Sequence, residues 1–144
     1  MNREIEFRGF DGTKWYYGDL EYNRKTDVAR IHTYKEDGSY SRQYTVDHDT
    51  VGQYTGLKDK NDKPVYEGDI VECVSWNEYF ANPATGEVMQ PFRRKMFVDY
   101  RNGGFKMVEQ MPEPMKDNEW DIICNGDIVI IGNTHDNPEL LVTK

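Results

Sequence analysis

Four dipeptides punctuate this chain: Asp11-Gly12, Asp37-Gly38, Asn102-Gly103 and Asn125-Gly126, each set between short runs in which apolar and polar residues alternate. Such a pair supplies the positive backbone φ angles that tight strand-to-strand turns require. Alternation with a period of two sends successive side chains to opposite faces of a strand. No long stretch carries the 3.6-residue period of an amphipathic helix. The expected fold is all-β, hairpin-rich and β-barrel-like, with at most short helical turns.

In "REIEFR", Ile5 and Phe7 alternate with Glu4, Glu6 and Arg8, which reads as a half-buried strand. Asp11-Gly12 links it to "TKWYYGDL", so residues 3 to 20 form a predicted hairpin. "DVARIHTYK" and "SYSRQYTV" flank the turn Glu36-Asp37-Gly38-Ser39, giving four strands by residue 46. "VDHDTVGQ" reads as a loop or a single helical turn. "DIVECVSW" is a strand covered on both faces. Residues 77–91 hold two prolines and one glycine and read as a long loop. "KMFVDYRNGGFKMVEQ" is a hairpin around a type I′ turn. "MPEPMKDNE" is an acidic linker, since its prolines cannot enter a central strand. "WDIIC" and "DIVIIGN" flank Asn125-Gly126 as a further strand-turn-strand. Asn137 is placed to cap a last helical turn with Pro138 at its first position. Gly68-Asp69-Ile70-Val71 recurs as Gly126-Asp127-Ile128-Val129, which reads as shared turn chemistry rather than duplication.

A chain of 144 residues fits one domain, 1–144, with residues 77–120 its individual segment. With only four leucines and three alanines, its core must come from β-branched residues, ten tyrosines and three tryptophans. Each large ring buries on the order of 150–250 Å². The formal net charge of -8 argues against wrapping duplex DNA, where cations must replace counterions. Phe92-Arg93-Arg94-Lys95 is the one basic cluster; Arg93, Arg94 and Lys95 read first as charged gatekeepers of a strand and second as a nucleic-acid patch. Cys73 and Cys124 sit in apolar runs as buried thiols do, and no Cys-x-x-Cys pair suggests a metal. No cofactor is expected. Nothing at Met1-Asn2-Arg3-Glu4 begins a signal peptide and no apolar run nears ~18 residues, so no membrane partner and a cytoplasmic location are expected.

The densest stretch is "QYTGLKDKNDKPVYEGDIVE", residues 53–72. Asp59 and Asn61 have the spacing that opens a calcium loop. Then Lys63 replaces an oxygen ligand, Pro64 takes the place of the glycine, and Ile70 stands where the closing Glu belongs. The stretch is turn chemistry ahead of a buried strand. Together with "REIEFRGFD" and "IIGNTHDNPELL", its first nineteen residues resemble, in order and spacing, the YopX family of small phage and prophage proteins. Asp62 departs from the family's usual Gly after the Asn; Asp tolerates a left-handed backbone better than most residues, so the turn should survive. The resemblance implies an all-β fold, a homo-oligomer and phage origin, with no established activity.

The candidate sites follow from residue type and alternation. His32 reads as a strand histidine, and His135-Asp136 as a polar turn. Asp47, His48 and Asp49 are the most enzyme-like trio, but strand or loop geometry rarely converges three neighbours; a metal-dependent enzyme built on them is the last-ranked reading. Trp15, Tyr16 and Tyr17 cannot all point inward and form the candidate interface, either between subunits or for stacked bases. The leading reading is a non-enzymatic, self-associating protein-interaction module with a possible host-protein partner. The second is a nucleic-acid-linked role, through Arg93, Arg94 and Lys95 or through mimicry by the carboxylates of residues 113–121.

Overall fold

Strand-forming runs broken by turn residues give eleven strands and two single 3₁₀ turns in a computed structural model that describes residues 4–75, 84, 92–122 and 128–141. The strands are β1 (Phe7–Phe10), β2 (Trp15–Asn23), β3 (Val28–Tyr34), β4 (Tyr40–Val46), β5 (Gly52–Lys58), β6 (Pro64–Tyr66), β7 (Asp69–Ser75), β8 (Phe92–Arg101), β9 (Gly104–Glu109), β10 (Asn118–Asp121) and β11 (Ile128–Asn133). They form a six-stranded sheet in the order β4-β3-β2-β1-β5-β6 and a five-stranded sheet in the order β10-β9-β8-β7-β11. The all-β expectation holds; the sheets, however, are not closed into a barrel. The chain divides into two compact units, Met1–Leu57 with Pro64–Gly68, and Lys58–Lys63 with Asp69–Lys144.

In the first unit, one face of the sheet buries Ala29, Ile31 and Val46, with Phe7, Tyr16, Leu20 and Val51 packed against them. Gly9 and Gly18 make this packing possible. A Cβ on Gly18 would run into the carbonyl oxygen of His32, and one on Gly9 would lie 2.6 Å from a Val46 methyl. The strand expected from Ile5 begins only at Phe7, and Ile5 is 59 % exposed. Phe7 takes the core face as the alternation predicts, while on the other side Glu6 accepts a 2.6 Å hydrogen bond from the Tyr66 hydroxyl and Arg8 is buried against the Trp15 and Tyr66 rings. The β1–β2 connection is a four-residue loop, with Phe10 opposite Trp15 and the Asp11 carboxylate accepting from the Thr13 and Lys14 amides, both at 2.8 Å.

In the second unit, Ile70, Val71, Val98, Val108 and Ile128 are fully buried. Ile70 and Val71 are neighbours on β7, so that strand is covered on both faces as its unbroken apolar run predicts. β8 and β9 meet at a two-residue turn, with Arg101 opposite Gly104, and Asn102 and Gly103 at φ 51 and 82. That is the type I′ geometry read from Asn-Gly. β10 and β11 both form, but on opposite edges of the sheet, β10 against β9 and β11 against β7, so they are not a hairpin. Their partners, β9 and β7, are separated in the sheet by β8. Asn125-Gly126, Cys124 and all of loop 77–91 except Ala84 lie outside the described residues; Cys73 is a half-buried thiol.

The 53–72 stretch resolves as folding chemistry. Asp59, 5 % exposed, accepts at Oδ1 from the amides of Asn61 and Lys63, both at 2.9 Å, and at Oδ2 from the amide of Ile130 at 3.0 Å. Asp62 adopts φ 63, so the Asp in place of Gly holds the left-handed conformation. Burial pushes the Asp59 carboxyl up, but the three amides outweigh it and hold the group below the usual carboxylate range.

Candidate interaction surface

β2 carries the aromatic triplet, and alternation divides it. Tyr16 points to the core side and stacks on Tyr44, with ring centroids 3.8 Å apart at 12°. Trp15 and Tyr17 point to the other face, which Arg8 and Phe10 share across the ladder. There the Arg8 guanidinium lies 4.8 Å from the Trp15 ring and 5.0 Å from the Tyr66 ring. Tyr66 also meets Tyr17 edge-on at 5.5 Å and Tyr54 at 5.5 Å. Burial and the hydrogen bond to Glu6 hold the Tyr66 hydroxyl far above the ordinary tyrosine range, so it stays a donor. Of the candidate triplet, Trp15 and Tyr16 are half-buried in these contacts, while Tyr17 is 47 % exposed.

The same outward face continues over β3 and β4. Asp19 pairs with His32 and Glu21 with Arg30, which brings those four side chains together beside Tyr34 and Tyr40. Tyr34 donates a 2.7 Å hydrogen bond to Asp19, and that bond with burial raises its ionisation range. His32 lies 3.2 Å from the Tyr40 hydroxyl and 3.5 Å from the Glu21 carboxylate. Arg30 sits 3.3 Å from Glu21, and hydrogen bonds from Arg30 and His32 lower the Glu21 carboxyl. Tyr34 and Tyr40 are 49 % and 52 % exposed and meet edge-on at 5.9 Å. The sequence signal for these two was the alternation in "VARIHTYK" and "SYSRQYTV". It places Tyr34 out with His32 only once the hairpin register is known.

Asp47, His48 and Asp49 form a 3₁₀ turn at His48–Thr50. Asp47 caps it by accepting from the Asp49 amide at 3.0 Å, and His48 stacks on Tyr22 at 4.9 Å. Thr50, buried beneath, accepts from the Phe10 amide at 2.8 Å and donates to the Asp47 carbonyl at 2.7 Å. Thr50, together with the Asp47 amide that donates to the Phe10 carbonyl at 2.8 Å, fastens this turn to β1, and His48 lies 3.4 Å from the Asp49 carboxylate. Among the described residues no group of three or more His, Cys, Asp or Glu side chains could hold a metal ion. Asn133, whose side chain accepts from the His135 and Asp136 amides, makes that pair part of a turn.

In the second unit, β8 separates the basic cluster: Arg94 and Lys95 are strand neighbours and lie on opposite faces. Arg94 is 3.7 Å from Glu109 and 5.4 Å from the Trp120 ring, while the Arg93 side chain lies outside the described ones. Of the carboxylates of residues 113–121, Asp117, Glu119 and Asp121 pair with cations of the same unit. Arg101 lies 2.8 Å from Asp99, 3.2 Å from Glu119 and 3.6 Å from Asp117, and Lys106 pairs with Asp121. A cavity of about 730 Å³ opens beside them, lined by Arg101, Met111, Glu113, Met115, Asp117 and Glu119 among others. Of its two cations, Arg101 is already answered by two of the lining carboxylates, Asp117 and Glu119. No helix among the described residues is long and apolar enough to cross a membrane.

Comparison with known proteins gives a family and a fold. The family model described as YopX protein matches residues 6–142. No curated protein matches the chain. Among solved structures, the crystal structure of protein EF1440 from Enterococcus faecalis is similar at 20 % identity, over 98 % of this chain and 100 % of that one, with a TM-score of 0.52. That likeness is one of fold. Matched over nearly its whole length, the chain belongs to the YopX protein family.

Proposed function

We propose that this protein is a non-enzymatic interaction module that self-associates through its first sheet. The observation that carries the reading is the trio Tyr17, Tyr34 and Tyr40, each about half exposed on one sheet face. Tyrosine supplies large, stiff contact area at low entropic cost and is enriched in interface cores. The face also carries Asp19 and Glu21 beside Arg30 and His32, so both signs are present on one patch. A two-fold contact needs such self-complementarity, because the same patch meets itself. In this reading the protein is prophage-encoded and works in the host cytoplasm, with a host protein as a further partner.

Single-strand binding has less support. Arg94 and Lys95 do not share a face, and Arg94 is answered by Glu109. Light scattering on the wild type and on a Tyr34→Ser/Tyr40→Ser variant tests the proposal. The wild type is expected to run above monomer mass at micromolar concentration and the variant to shift toward monomer. Equal association of both would remove this face from the interface.

A further inference from the structure

A strand at a sheet edge presents unpaired N–H and C=O groups to any chain that reaches it, and proteins blunt such edges with short strands, proline, charge, bulges or a covering loop. Among the described residues the two sheets have four edge strands: β4, β6, β10 and β11. Three carry such devices. β6 is three residues long and opens with Pro64, which has no amide hydrogen. β10 is four residues, Asn118-Glu119-Trp120-Asp121, two of them acidic. β11 is covered by the Lys58–Lys63 turn: the Lys60 amide donates to the Ile128 carbonyl at 2.9 Å, and the Asp59 carboxylate takes the Ile130 amide. β11 also carries a bulge between Ile130 and Gly132.

β4 is different. It is seven residues, Tyr-Ser-Arg-Gln-Tyr-Thr-Val, with no proline, one charge at Arg42, and exposed side chains from Tyr40 to Gln43 and at Thr45. Its only irregularity is at the end where Tyr40 pairs with Tyr34. Beyond that point, with Ser41 taken up by the bulge, the residues Arg42 to Val46 form a regular strand of high β-propensity with an open outer side.

We infer that β4 is the docking edge for a second copy of this chain, paired antiparallel about a two-fold axis at Gln43, which extends the six-stranded sheet across the dimer. This rests on the self-association proposed above and adds to the tyrosine face a separate contact at the edge of the same sheet. The occupant is argued from the sequence of the strand itself. About Gln43, Arg42 falls opposite Tyr44 of the second copy and Gln43 opposite Gln43. Cation meets ring and amide meets amide; both cross-strand pairs are favourable. An axis at Arg42 would set two guanidiniums against each other. An axis at Tyr44 would set Arg42 against the aliphatic Val46 and leave it without a ring partner. An unrelated extended segment could add to the same edge by main-chain bonding, but only a second copy meets this palindrome of side chains.

The experiment uses the full chain with Gln43→Cys, beside a control with Lys14→Cys in the exposed β1–β2 loop. Residues directly opposite across an antiparallel pair have Cβ atoms roughly 4.5–5.5 Å apart, within reach of a disulfide after small adjustment. Mild oxidation is expected to give a covalent dimer with a 43–43 linked peptide by mass spectrometry, and no 14–14 product at a comparable rate. Gln43→Lys, an exposed substitution whose fold is checked by circular dichroism, places two ammonium groups face to face and is expected to weaken the dimer on the order of tenfold or more. A wild-type dimer that gives no 43–43 link and is unchanged by Gln43→Lys overturns the β4 contact while leaving self-association standing. A wild type that is monomeric overturns both.

Discussion

Asp59 shows how much of this chain's polar chemistry is structural. A calcium reading of its neighbourhood fails at Lys63 and Pro64, and the structure gives the carboxylate three backbone amides instead, one of them 71 residues away in sequence. Asp59→Asn keeps the shape but turns an amide donor toward one of those N–H groups. The expected cost is roughly 1–3 kcal/mol in urea denaturation at neutral pH. The sign of the pH dependence follows from the lowered folded pKa. The stabilisation is complete above the unfolded value near ~3.9 and is lost as pH falls through the folded one. The gap between wild type and variant should therefore narrow in acid. A gap that is constant from pH 7 to pH 3 would mean that the carboxylate's charge is not what holds the turn.

At the scale of the element, strands and turns were legible, and pairing was not. The period of two and the Asp-Gly and Asn-Gly pairs located the first four strands and the Asn102-Gly103 turn, because both signals are local. The place of β10 and β11 on opposite edges was invisible, since register partners far off in sequence decide it. Polar inward contacts misled in the same way: Glu6 and Arg8 look like a solvent face until Tyr66, sixty residues on, closes over them. The candidate face was half legible. Three adjacent rings had to divide between two faces, but only the hairpin register adds Tyr34 and Tyr40 to Tyr17. Glycines separate local from tertiary causes as well. Gly18→Ala puts a methyl into the His32 carbonyl, whereas a Cβ at Gly104 meets only the Lys106 ammonium, at 3.9 Å. Gly18→Ala is expected to cost about 1–3 kcal/mol and Gly104→Ala to stay near neutral. Thermal melts of the two variants check this; equal losses would contradict the close approach of β2 and β3.

For the whole molecule, the family and fold are fixed while the contacts it makes are the proposal. Three edge strands are blunted by short length with proline or acidic residues, or by a covering turn, whereas β4 is protected only by a bulge at its Tyr40 end and the charge of Arg42, and the exposed tyrosines lie on the same sheet. Charge sets the alternatives apart: a net of -8, with Arg94 and Arg101 engaged by carboxylates, gives a salt-steep nucleic-acid interaction little to work with. The measurement that bears most directly on this account is sedimentation equilibrium of the purified, full-length wild type, from nanomolar to micromolar concentration. A reversible rise from monomer to dimer mass, changed little by moderate salt, is expected. Monomer mass across the whole range would contradict it.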